Sequence, residues 1–133
     1  GELAEILRKR GTPEEIIDRL LDRLTAQKLL DDYSFAREWS QLRHRSKGLS
    51  RRVLAQELRK KAIAPEVISS VLDEISREDE LSAARELVAK KLRSLTRCDE
   101  QVRFRRLHSL LARKGYPANV ISQAIREELL ISS

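Results

Sequence analysis

The chain has 133 residues and carries 27 Lys and Arg against 21 Asp and Glu, a formal net charge of +6. Three prolines, four glycines and 4% aromatics are too few turn and strand formers for an all-β fold, while 41% hydrophobic content is too much for a disordered chain. No apolar run approaches the roughly 18–20 residues that span a bilayer, and no signal-peptide core opens the chain. The single cysteine, Cys98, has no disulfide partner, which fits a reducing, cytoplasmic compartment.

In chain order, Leu3 and Leu7 lie one turn apart on a first helix that closes on Lys9-Arg10, with Gly11 as a left-handed C′ residue. Thr12 is expected to cap a second helix, with Pro13 at its first position and Glu15 completing a capping box. Ile16, Ile17, Leu20, Leu21 and Leu24 then form a stripe at helical spacing. A third helix is expected to open at Asp31-Asp32, with Asp32 as N-cap. Its Phe35, Ala36, Trp39 and Leu42 share a face, and Phe35 and Trp39 read as core. Gly48-Leu49-Ser50 breaks the chain, and Ser50 caps the helix that Arg51 and Arg52 begin.

From there the pattern repeats. Leu3–Leu24 aligns without a gap on Leu54–Ile75 at a shift of 51, and more loosely on Leu107–Leu129 at a shift of 104. The basic pairs Lys9-Arg10, Lys60-Lys61 and Arg113-Lys114 coincide. Gly11 and Pro13 recur as Gly115 and Pro117, whereas Ala62 replaces the glycine in the second copy. The helix at Asp32 has a counterpart near Asp79–Ala84 at a shift of 48, and Ser76 with Asp79 offers a cap slightly upstream for it. The expectation is an all-α, elongated tandem array of helix-turn-helix-like three-helix repeats with about eight helices: 1–47, 48–97 and a shortened third at 98–133. The chain begins directly in a helix, which points to a longer N-terminus.

Charge alternates along the array. Residues 1–32 sum to −2, 33–62 to +7, 63–86 to −5, 87–114 to +7 and 115–133 to −1. Two basic segments split by an acidic one suggest a polyanion met in two places. The first patch is Arg43, Arg45, Lys47, Arg51 and Arg52; the second is Lys90, Lys91, Arg93, Arg97, Arg103, Arg105 and Arg106. Arg51 and Arg52 oppose the dipole of the helix they begin, and a phosphate bound there with the free N–H groups would account for them. The aromatics are too few for a base-stacking platform, and Tyr116 reads as an exposed turn residue. The acidic stretch Asp73–Glu80 and Glu66 would face protein.

Enzymatic chemistry is hard to find. His44 sits among arginines, His108 lies far from it, and Cys98 has no assignable histidine. Phosphate-binding glycine loops, zinc-protease helices and EF-hand loops are missing, and the acid pairs Asp31-Asp32 and Glu78-Asp79-Glu80 are explained as helix caps. A non-enzyme without metal or cofactor is expected.

Leu29-Leu30-Asp31-Asp32-Tyr33-Ser34-Phe35-Ala36, Lys47-Gly48 with Arg51, Gln56-Glu57-Leu58-Arg59-Lys60-Lys61 and Arg113-Lys114-Gly115-Tyr116-Pro117 before Val120-Ile121, in this order, resemble the RecX family. The resemblance spans nearly the whole chain, and Ala62 departs from the family's usual glycine. It implies a monomeric, cytoplasmic regulator of the RecA recombinase that lies along the groove of the RecA–DNA filament, with that filament and single- and double-stranded DNA as partners. There it would block extension, ATP hydrolysis, strand exchange or co-protease activity. The competing readings are a stand-alone, sequence-nonspecific DNA- or RNA-binding module and a purely protein-binding solenoid.

Overall fold

The structure, a computed structural model, describes residues 2–132 as seven α-helices: α1 (Glu2–Lys9), α2 (Glu14–Lys47), α3 (Arg51–Lys60), α4 (Pro65–Leu72), α5 (Arg77–Leu92), α6 (Glu100–Arg113) and α7 (Ala118–Ser132). The all-α repeat expected from the sequence is therefore present. Its count differs by one because the expected break at Asp31-Asp32 does not form. Residues 14–47 contain neither glycine nor proline, and the Gln27–Asp31 and Lys28–Asp32 contacts, both 3.0 Å and four residues apart, support the helix across that point. α2 is consequently about 51 Å long at 1.5 Å per residue. It stops at Gly48, whose φ of 64° closes the helix with an N–H donated to the His44 carbonyl.

The other caps divide. Ser50 accepts from the Val53 N–H, and Ser76 with Asp79 forms the reciprocal capping box. Thr12 does not cap α2; Pro13 occupies that position, with no side-chain bond. Gly11 and Gly115 take the left-handed turn as expected, and Ala62 takes it too, at a φ of 61°. The repeat thus imposes the same turn on all three copies, and in the second it accepts a strain of about 1–2 kcal/mol.

Packing follows two separate cores. In the first, Tyr33, Ala36 and Trp39 of the C-terminal half of α2 cover Leu54, Leu58, Val67, Ile68 and Val71 of the α3–α4 hairpin. In the second, Ala84 and Val88 of α5 cover Leu107, Leu111, Val120, Ile121 and Ile125 of the α6–α7 hairpin. Each core is thus a helix-turn-helix pair roofed by the helix that precedes it. This grouping cuts across the boundaries 47/48 and 97/98 suggested by the repeat alone.

The first copy lacks such a roof among the described residues. Leu3 is 43% exposed, whereas its repeat counterparts Leu54 and Leu107 are both 0% exposed. Ala4 and Ile17 join α1 to α2, but Ile6, Ile16, Leu20 and Leu24 stay exposed. The chain exposes 9371 Å² in total, against about 7,200 Å² for a compact monomer of its mass. The array is elongated.

Two aromatic assignments change. Phe35 is not a core residue: its ring is 43% exposed beside Trp39. Tyr116 is not an exposed turn residue. It is buried, and its hydroxyl donates to the Gly48 carbonyl at 2.7 Å across the two cores.

Candidate functional site

The two cores meet at a tight junction. Besides the Tyr116–Gly48 bond, the Ser50 N–H donates to the Lys114 carbonyl at 3.0 Å, and the Arg51 N–H donates to the buried Glu80 carboxylate at 3.1 Å. A Cβ at Gly48 would come within 2.8 Å of Leu87 Cδ1, so the end of α2 lies directly on α5. His44 Nδ1 donates to the Leu49 carbonyl at 2.8 Å, giving that histidine a structural role. Burial among apolar neighbours and the nearby Glu80 and Glu86 carboxylates hold the Tyr116 phenol far above its ordinary value.

This junction shapes a groove of about 480 Å³ between the last turn of α2 and one face of α5. Arg45 and Lys47 line one wall; Lys90 and Arg93 line the other, with Ser82, Ala83 and Leu87 between them and Asp79 and Glu86 as the acids. Residues 43 positions or more apart in sequence therefore combine into one cationic groove. All four cations are solvent-exposed. Arg93 also lines an adjoining hollow with Arg103, extending the basic surface.

Other expected contacts are placed elsewhere. Arg43 is occupied within the fold: its Nη2 lies 2.6 Å from Glu57 Oε2 and its Nε 3.1 Å from Oε1, with its guanidinium 5.2 Å from the Trp39 ring centre. Arg51 lies 3.4 Å from Asp73, and the N-terminus of α3 is filled by Glu80, so a phosphate there would compete with the protein's own carboxylate. Arg52 is exposed and lines a separate hollow with Arg51, Glu80 and Tyr116. Lys91 is half-buried outside the groove, and Arg103 donates from Nη2 to the Cys98 carbonyl. Arg105 and Arg106 stand exposed on α6, Arg106 with Nη1 3.9 Å from Cys98 Sγ.

Of the acidic stretch only Glu80 is buried, but Asp73, Glu74 and Asp79 also have partners within the fold. Glu74 pairs with Arg37 and accepts from the Tyr33 hydroxyl, which raises the tyrosine's pKa. Asp79 is held below the usual carboxylate range by the Ser76 backbone N–H and hydroxyl. Sequence reasoning missed Glu57, Glu80 and the α5 face. The spacing of Asp79, Ala83, Glu86, Lys90 and Arg93 is helical, but those residues are mostly polar, and only packing against α2 makes them a wall.

Glu57 carries a pH prediction. The hydrogen bonds from Arg43, then that from Trp39, lower its pKa despite partial burial. A depressed folded pKa means that the pairing stabilises the fold fully above the ordinary carboxylate value and is lost as pH falls through the folded one. Glu57→Gln is expected to lower the melting temperature at pH 7 and to converge on the parent protein in acid. A gap that stays constant down to about pH 2.5, well below the ordinary carboxylate pKa, would refute the pairing's role.

Among the described residues, no group of three or more His, Cys, Asp and Glu side chains comes together to hold a metal, and no helix is long and apolar enough to cross a membrane. Roofed helix-turn-helix units joined in tandem beside a cationic groove define a helical-repeat protein. Residues 31–72 match the second three-helix domain of RecX and residues 78–125 the third, the same helices that form the two cores. The regulatory protein RecX of Amycolatopsis mediterranei is 45% identical over 96% of this chain and 73% of its own length; that of Streptomyces coelicolor is 41% identical over 96% and 68%. The chain belongs to the RecX family of regulatory proteins.

The fold agrees with solved members. RecX from Lactobacillus salivarius superimposes with a TM-score of 0.73 over 97% of this chain and 84% of its own, at 19% identity. A second RecX crystal structure superimposes with a TM-score of 0.68 at 25% identity, and this chain spans 62% of it.

Proposed function

We propose that the protein is a non-catalytic regulator of the RecA recombinase that lies in the groove of the RecA–DNA filament. There it restrains filament extension, ATP hydrolysis, strand exchange and co-protease activity during recombination, DNA repair and the SOS response. The observation that carries this reading is the α2–α5 groove, where Arg45, Lys47, Lys90 and Arg93 converge from two separate basic segments. Exposed cations in a shallow groove suit a phosphate backbone, which is contacted by charge without base readout. The elongated array supports contact over several turns of a polymer, and the exposed Arg52, Arg105 and Arg106 supply further cations along it.

The test is the single-stranded-DNA-dependent ATPase rate of a RecA filament titrated with this protein, with excess single-stranded DNA as a control. Inhibition well below the RecA concentration, not relieved by extra DNA, is the expected result. Relief by extra DNA would replace this reading with a stand-alone nucleic-acid-binding module. The Lys47→Glu, Lys90→Glu double variant should need at least about tenfold more protein for half-inhibition. Its logarithmic salt slope on free DNA should shrink by about 0.7–0.9 for each phosphate that the variant no longer neutralises. An unchanged titration would remove the groove from the mechanism.

A further inference from the structure

Phe35 is a large ring at a place where the fold needs only a small side chain. At the shift of 48 that relates the two roofing helices, its counterpart is Ala83, and Trp39 corresponds to Leu87. The α5 roof closes its core with alanine there, so core packing does not account for the phenylalanine. The ring instead stacks on Trp39, with centroids 5.8 Å apart and planes 24° from parallel, and remains 43% exposed.

Its support is fixed in place. The Trp39 indole N–H donates to Glu57 at 3.0 Å, and the same carboxylate is clamped by Arg43. Cations crowd the rim. Lys61 Nζ lies 4.2 Å from the Trp39 ring centre and 5.8 Å from that of Phe35, and Arg59 and Lys60 are exposed on the last turn of α3. Residues 31–62 hold nine basic groups against four acids, Asp31, Asp32, Glu38 and Glu57, of which Asp32 is paired with Lys28 and Glu57 with Arg43.

We propose that Phe35, backed by Trp39, stacks an unpaired base of single-stranded nucleic acid while Lys60 and Lys61 meet the flanking phosphates. One exposed ring beside clustered cations is too little for a platform that stacks several bases, but it suits a single base of a polyanion that carries flat rings. A duplex does not qualify, because its base faces are already stacked on one another. The site goes beyond the filament reading: Phe35 lies ten residues, or about 15 Å, along α2 from Arg45.

The chain's single tryptophan is the reporter. The full chain, with no RecA present, is titrated at low salt with an oligodeoxythymidylate and with an abasic oligonucleotide of the same length and charge. The thymidylate is expected to quench Trp39 and to bind about 5- to 150-fold more tightly than the abasic strand, the range for one stacked base. Phe35→Leu should erase that preference with unchanged helicity, and Phe35→Tyr should keep it. Phe35→Ala, which installs the residue found at the equivalent place in α5, is a second variant that the fold should tolerate. Equal affinity for the two strands, no binding of either, or an undiminished preference in Phe35→Leu would overturn the proposal. Quenching of Trp39 by a RecA filament but not by thymidylate would also overturn it, and would assign the ring to a protein contact. Because RecA is absent from the oligonucleotide titrations, their failure leaves the filament reading standing. Conversely, lost ATPase inhibition with intact thymidylate preference would sink that reading alone.

Discussion

Leu54→Ala and Leu107→Ala are each expected to destabilise the protein by about 2–5 kcal/mol, while Leu3→Ala costs about 1 kcal/mol or less. The three leucines occupy one position of the repeat, so local sequence does not distinguish them. Leu54 and Leu107 sit at 0% exposure in the two cores, and truncating either leaves a cavity that the neighbouring helices fill only partly. Leu3 is 43% exposed on an unroofed hairpin and already surrenders part of its transfer energy to water. Urea unfolding followed by circular dichroism reads all three, and Trp39 fluorescence adds a local view of the first core. Equal costs would mean that the first hairpin is roofed in solution.

Gly115→Ala is expected to cost about 3 kcal/mol or more, against about 1 kcal/mol for Gly11→Ala. Both glycines hold left-handed turns, at φ 93° and 76°. A Cβ at Gly11 meets nothing within 4 Å, so that variant bears backbone strain alone, as Ala62 already does. A Cβ at Gly115 runs into Val53 Cγ2 and Ser50 Oγ. Relief requires the two cores to separate where Ser50 bonds Lys114 and Tyr116 bonds Gly48. Weaker ATPase inhibition should therefore accompany the lower midpoint in denaturant. Matching midpoints for the two variants would show that the junction is looser than its geometry implies.

Most of the local structure was legible in the residue pattern. The left-handed turns at Gly11 and Gly115, the Ser50 cap and the Ser76–Asp79 capping box follow from short-range chemistry, in which side chain and backbone lie within a few residues of each other, whereas the same turn at Ala62 does not. The repeat likewise announced the α3–α4 and α6–α7 hairpins. The expected break at Asp31-Asp32 fails because a capping residue can also sit within a continuous helix when no glycine or proline stops it. Thr12 shows the same limit: a hydroxyl at the right spacing does not cap unless the backbone presents the N–H groups to it.

The candidate site was legible only as a composition. Nothing in the sequence separates Arg45 and Lys47, which face the groove, from Arg43, which is bound to Glu57, or Arg51, which lies against Asp73. Each of these pairings joins residues at least 14 positions apart, and so depends on which helices pack together.

By itself, then, the sequence determined an all-helical tandem repeat, its turns, most of its caps and two basic segments, because helical periodicity and capping act within about one turn of chain. Only the tertiary structure decided which helix roofs which hairpin, which cations face the groove, and that Phe35 stands outside the core while Tyr116 bridges two cores. These outcomes come from burial and pairing between segments distant in sequence. The free energy of placing a ring or a charge there depends on neighbours that local pattern does not specify.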